Sequence, residues 1–145
     1  MKKLIFILIM ILSFVSCKKD TQEIFYEISI TTTTIKKAIN AIETNTPLPV
    51  DFTVNSNGEI KNNNTLYNLN EVEIQYVNTL MEKLSTHGVA TTYGISRNTH
   101  ENTQIYIIQY WYKDTEDRTW INVNTKIPTE LQDIWNWYLS IQNSI

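Results

Sequence analysis

Two histidines, one cysteine and a row of tyrosines and tryptophans are the residues of this 145-residue chain best equipped for chemistry. His87 stands where a helical pattern ends, and the negative end of a helix dipole favours a cation there. It reads as a surface charge rather than as a catalytic base. His100 sits beside Glu101 in the polar loop Arg97 to Thr103. Twelve residues of mixed character separate the two histidines, which matches no standard ligand spacing, so no metal site is expected. The acidic run Asp114-Thr115-Glu116-Asp117 offers oxygens for calcium but lacks the alternating ligands and the glycine of an EF-hand loop. It reads as a solvated hairpin tip, and Asn62 to Asn64 reads as a loop. Catalysis needs a nucleophile, a base and an orienting group that converge. No Gly-x-Ser-x-Gly elbow is present, and no cofactor motif is visible. A small hydrolase using a carboxylate with His100 or Arg97 stays open as a third reading, without spacing to support it.

The aromatic strands carry more information. Along Ile105 to Lys113, alternation puts Tyr106, Ile108, Tyr110 and Tyr112 on one face and Ile105, Ile107, Gln109 and Trp111 on the other. Trp120 opens the next strand and could stand across from this row. Such rings bury area while keeping a polar edge, so Tyr106, Tyr110, Trp111, Tyr112 and Trp120 form a candidate surface for a protein, peptide or glycan partner. The competing reading is a helix-covered face with tyrosines shielding the other side.

The single cysteine, Cys17, follows a different logic. Lys2 and Lys3 precede an apolar run from Leu4 to Val15, broken only by Ser13 and followed by Ser16. This is the order of a secretory signal peptide, and the run is shorter than the ~20 residues that a helix needs to span a bilayer. With Cys17 at the cleavage point, the segment resembles the signal peptides of bacterial lipoproteins, of the kind found in Bacteroidota. Phe14 stands where the usual lipobox carries leucine. The resemblance implies cleavage after Ser16, acylation of Cys17 with palmitate among its lipids, and a protein anchored in the cell envelope, at the outer membrane. Lys18 after the cysteine does not give the inner-membrane retention signal of an aspartate at that position. Acylation would also remove a lone thiol from an oxidising compartment.

Cleavage after Ser16 leaves 129 residues with ten basic and fifteen acidic side chains, a formal charge of −5. That balance disfavours nucleic acid, whose binding rests on Lys and Arg neutralising phosphates. It suits a basic partner. Arg97 and Arg118 are the only arginines, so no guanidinium cluster exists for multivalent phosphate capture.

Several elements must position these groups. Thr21 to Thr32 reads equally as tether, strand or helix extension, because isoleucines at helical spacing overlap a β-branched run. A helix is expected from about Thr33 to Thr44, closed by Pro47 and Pro49. Val50, Phe52 and Val54 alternate as a strand, with Asn57-Gly58 suited to a type I′ turn and Glu59 to Lys61 returning. Asn70 caps a helix with Glu71 and Glu73 in its first turn. Its apolar stripe is Val72, Tyr76, Val77, Leu80, Met81 and Leu84, and His87-Gly88 ends it. Strands follow over Ala90 to Ser96, Gln104 to Lys113 and Thr119 to Thr125. Thr129 and Gln132 have capping-box spacing before a last helix. That helix carries the stripe Leu131, Ile134, Trp135, Tyr138 and Ile141, with Trp137 off it.

The expectation is one α+β domain over 33–145, behind a leader (1–16) and a tether of unsettled conformation (17–32). An antiparallel sheet of about four to five strands would carry two to three helices on one face. The expected function is a non-catalytic, lipid-anchored binding module, for which an immunity-type role is one instance. From about Leu69 to Ile141, the order of helix, paired strands, the Ile127-Pro128 turn and a last helix resembles small bacterial protease inhibitors of the emfourin type. That resemblance implies inhibition of secreted metalloproteases and assigns no functional residue.

Overall fold

A computed structural model describes residues 26–144, so Cys17 and the leader lie outside the described residues. Seven strands form one sheet in the order β4-β3-β2-β1-β6-β7-β5. They are β1 (Tyr26–Thr34), β2 (Phe52–Asn55), β3 (Glu59–Asn62), β4 (Thr65–Asn68), β5 (Thr92–Tyr93), β6 (Gln104–Tyr112) and β7 (Thr115–Asn122). The helices are α1 (Ile35–Thr44), α2 (Glu71–His87) and α3 (Gln132–Ser144), the last entered through a 3₁₀ turn at Thr129–Leu131. The α+β class holds, but the sheet is larger than the expected four to five strands. It is also mixed, because β5 pairs parallel to β7 while the other pairings are antiparallel.

The β-branched run decides the centre of the molecule. Residues 26–32 are strand rather than tether, and β1 lies between β2 and β6. Tyr26, Ile28 and Ile30 are almost wholly buried there. A central strand is covered on both faces, which suits a sequence without clean polar alternation. Domain structure therefore begins at least seven residues before the expected start at 33. At its far end, Thr34 accepts a hydrogen bond from the Lys37 amide at 3.3 Å, and this cap starts α1 without an intervening loop.

The helices do not share a face. Val77, Leu80, Met81 and Leu84 of α2 and Ile134, Trp137 and Ile141 of α3 pack with Ile28, Ile30, Phe52, Ile108 and Tyr110 in the main core. On the other face, Ile35 and Ala38 of α1 pack with Ile105 and Ile107, and Leu48, Ile95 and Trp120 close in from the side. Trp137 belongs to the core, contrary to its place off the expected stripe, and sets its ring edge-on to Phe52. Val72 and Tyr76 leave the expected α2 stripe for solvent.

Local chemistry explains the remaining boundaries. Asn70 and Glu73 form a reciprocal capping box, with bonds of 3.0 and 2.8 Å. The Thr129–Gln132 capping box does not form, since Pro128 stands at the N-cap without a side-chain bond. The β2–β3 loop holds three residues between Asn55 and Glu59, so it is not type I′. Asn55 accepts from the amides of Asn57 and Glu59, and Gly58 takes a positive φ of 78° against Ile74 and Leu69. The Asp114–Arg118 segment is mostly strand: β6 and β7 turn at Lys113 and Asp114, and Thr115 already pairs with Tyr112.

Candidate functional site

The five aromatic residues marked by the sequence do not share one surface. Tyr110 and Tyr112 are buried on the face covered by α2 and α3. Tyr106 stands on the same side, 4.7 Å from Trp135 of α3 by ring centroids. The Tyr110 hydroxyl donates to Asp117 at 3.2 Å, and burial followed by the Asp117 charge pushes its pKa up. Nearby, Tyr93 donates to Glu130 at 2.6 Å and accepts from the Ala90 amide at 2.9 Å. Burial raises the Tyr93 pKa, and the Tyr93 hydrogen bond lowers that of Glu130. These hydroxyl–carboxylate pairs pin β5, β6, β7 and the entry to α3 together. Trp111 and Trp120 alone of the five point to the opposite face, both half-buried.

On that opposite face α1 is short, and the chain after it runs as an extended loop back to β2. The space between this cover and the strands is an open groove of about 540 Å³. Such a volume lies within the range of small-molecule sites. Ala38, Ala41, Ile42, Pro47, Leu48 and Val50 build its apolar wall. Strand alternation supplies the floor: Ser29 and Thr31 from β1, Ile107 and Gln109 from β6, Arg118 and Trp120 from β7. The register sets Ser29 beside Gln109 and Gln109 beside Arg118, and one step along it sets Thr31 beside Ile107 and Ile107 beside Trp120.

Polar groups on this floor are unevenly satisfied. Gln109 donates through Nε2 to Glu116 at 2.7 Å and accepts from Arg118 Nε at 3.2 Å and Nη2 at 2.9 Å. Ser29 and Thr31 are 9% and 6% exposed, and their hydroxyls bond to nothing among the described residues. Neither hydroxyl is sealed from solvent in the way that the partnerless oxygens of Tyr26 and Thr119 are. Both therefore look onto the groove. A hydroxyl that opens onto the groove bonds to water there and can exchange that bond for one to a ligand.

The other marked groups do not converge. His87 Nδ1 lies 2.8 Å from the Lys83 carbonyl oxygen at the end of α2. His100 Nδ1 accepts from the Asn102 amide at 3.1 Å, and Glu101 pairs with Lys36. Among the described residues no three of His, Cys, Asp and Glu gather as metal ligands, and no helix is long and apolar enough to cross a membrane. The groove itself was missed by sequence reasoning. Its only sequence signal was the polar content of the second face at Ser29, Thr31 and Gln109, which flat alternation rules treat as solvent.

The fold and groove together define a small α+β protein with an open pocket between one sheet face and a short helix. In comparisons with known protein families, curated proteins and solved structures, nothing matches this chain.

Proposed function

We propose that this protein is a lipid-anchored envelope module that binds a ligand without transforming it, and that the groove under α1 is its binding site. The observation that carries the reading is the pair of nearly buried Ser29 and Thr31 hydroxyls on the groove floor, which have no protein partner among the described residues. A scaffold with an apolar wall and a few convergent polar groups fixes a ligand's orientation through those groups. Trp120 belongs to this site, Trp111 lies outside its lining on the same sheet face, and Tyr106, Tyr110 and Tyr112 serve the core. The signal-like leader and Cys17 supply the membrane attachment in this proposal.

A groove suits binding better than the emfourin-type inhibitor reading. The stretch Leu69 to Ile141 that resembles those inhibitors contributes three of the seven strands and omits the central β1. It could not close this sheet alone.

The test is a crosslinked pull-down from native envelopes with the acylated protein. Ala41→Trp places an indole in the groove from a half-buried helix position. A partner or ligand recovered with wild type and lost with the folded variant supports the reading. Equal recovery moves the site elsewhere. Labelling with palmitate, present in wild type and absent in Cys17→Ser, checks the anchor.

A further inference from the structure

The groove has a polarity that the protein's overall charge does not suggest. The chain is acidic, yet Arg118 is the one charged residue among those lining the groove. It forms no ion pair among the described residues, whose salt bridges are Lys36–Glu101 and Lys83–Asp133. Its guanidinium is nevertheless held. Nε and one Nη2 hydrogen go to Gln109 Oε1, and Gln109 is itself anchored through Nε2 to Glu116. A guanidinium has five N–H donors, so this arrangement leaves both Nη1 hydrogens and the second Nη2 hydrogen without partners among the described residues. They form the end-on fork that matches the two oxygens of a carboxylate.

The rest of the groove is uncharged and graded. Arg118 belongs to β7 at one margin of the floor, whereas α1 and residues 45–50, which follow β1 in the chain and lead into β2, form the wall. β7 is two strands from β1, or about 10 Å at ordinary strand spacing. The C-terminal end of α1 leads into that wall at Asn45, where the helix dipole repels an anion. An anionic group is therefore favoured at one end only, and apolar surface from Ala41, Ile42, Pro47 and Leu48 lines the other. Between the two ends the Ser29 and Thr31 hydroxyls can donate to or accept from a ligand.

We infer that the groove binds a small amphipathic monocarboxylate: the carboxylate on the Arg118 fork, the apolar body under α1. This inference rests on the groove being the binding site, and it names the ligand class. Glu116 lies two residues from Arg118 on the same strand face, but Gln109 stands between the carboxylate and the guanidinium in the hydrogen-bond chain. A dicarboxylate or a phosphate ester would meet a single cation and gain less per charge buried.

The test uses the full-length acylated protein in lipid nanodiscs, with empty nanodiscs as the partition control. The probes are butyrate, hexanoate, octanoate and 3-phenylpropionate, each against its alcohol of the same skeleton, with binding read by ligand-observed NMR and calorimetry. At least one acid is expected to bind ten-fold or more tighter than its alcohol. Arg118→Gln should erase that preference by weakening the acid far more than the alcohol, and Arg118→Lys should restore only part of it. Ala41→Trp should weaken acid and alcohol alike. Equal affinity for acids and alcohols across the panel, or a preference that survives Arg118→Gln, overturns the inference. If Ala41→Trp still loses the envelope partner in that case, the groove remains the site and only the ligand class is wrong. A tripeptide of apolar residues with a free C-terminus provides the last arm. If it outcompetes every small acid, and its C-terminal amide does not, the carboxylate belongs to a peptide end and the small-acid assignment falls.

Discussion

At the level of single residues, neighbours on β6 have opposite fates. Tyr110 sits in the main core with its hydroxyl on Asp117, and Trp111 stands half-buried on the groove side. Tyr110→Ala should cost about 3–5 kcal/mol, as truncation of large buried aromatics does. Trp111→Ala should cost about 1 kcal/mol or less. Urea unfolding of the two variants measures the difference, and equal losses would contradict the face assignment. Tyr26 makes a second case. Its hydroxyl is enclosed without a partner among the described residues, and burial pushes its pKa up to about 12. The unfolded chain loses this proton near pH 10 while the folded one holds it, so the group's stabilising contribution is complete below pH 10. It is lost as pH rises from about 10 towards 12, since the unfolded state then binds fewer protons. Tyr26→Phe should leave stability at pH 7 within about 1 kcal/mol of wild type and flatten the alkaline decline. Denaturant midpoints between pH 8 and 11 would show it. Some decline persists in the variant, because burial also raises Tyr110 and Tyr138.

At the level of elements, the residues that start and stop helices were largely legible and packing faces were not. Residue type marks Asn70 as the N-cap with Glu71 and Glu73 in the first turn, and the structure adds a reciprocal bond between Asn70 and Glu73. Asn70→Ala should cost about 1 kcal/mol, seen as a lowered denaturant midpoint with an unchanged slope. The Thr129–Gln132 pair has suitable spacing too, yet Pro128 fixes the backbone so that the first turn is 3₁₀ and the box fails to form. Trp137 lies three residues after Ile134 and four before Ile141, so helical spacing itself sets it on the buried side, and the expected stripe drawn through Trp135 was turned too far round the helix. Phe52 fills the space beside Trp137, and both rings are buried. The edge strand β4 (TLYN) gives almost no signal, being four exposed residues held by pairing with β3 alone.

For the whole molecule, the decisive element is β1. It pairs along four residues with β2 and along nine with β6, joining the two halves of the sheet. A chain beginning at Thr33 would lose Tyr26, Ile28 and Ile30 from the core and leave two sheet edges unpaired. Such a truncation should fail to fold cooperatively, whereas one beginning before Tyr26 should retain a sharp thermal transition by circular dichroism. The placement of β1 also creates the groove. α1 follows it without a loop, turns under the sheet and is too short to cover the floor. What the sequence determined by itself was local: strand alternation in β6, the α2 cap, the stop at His87-Gly88, and the α+β class. These depend on neighbours within one or two turns of chain, where residue type fixes the dihedrals and hydrogen bonds that can form. Strand order, the face chosen by each helix, and the meeting of Ser29, Gln109 and Arg118 were decided only by tertiary structure. Those three residues lie as far as 89 positions apart. Their adjacency comes from which strands bury the most apolar surface together, a property of the whole chain that no local spacing encodes.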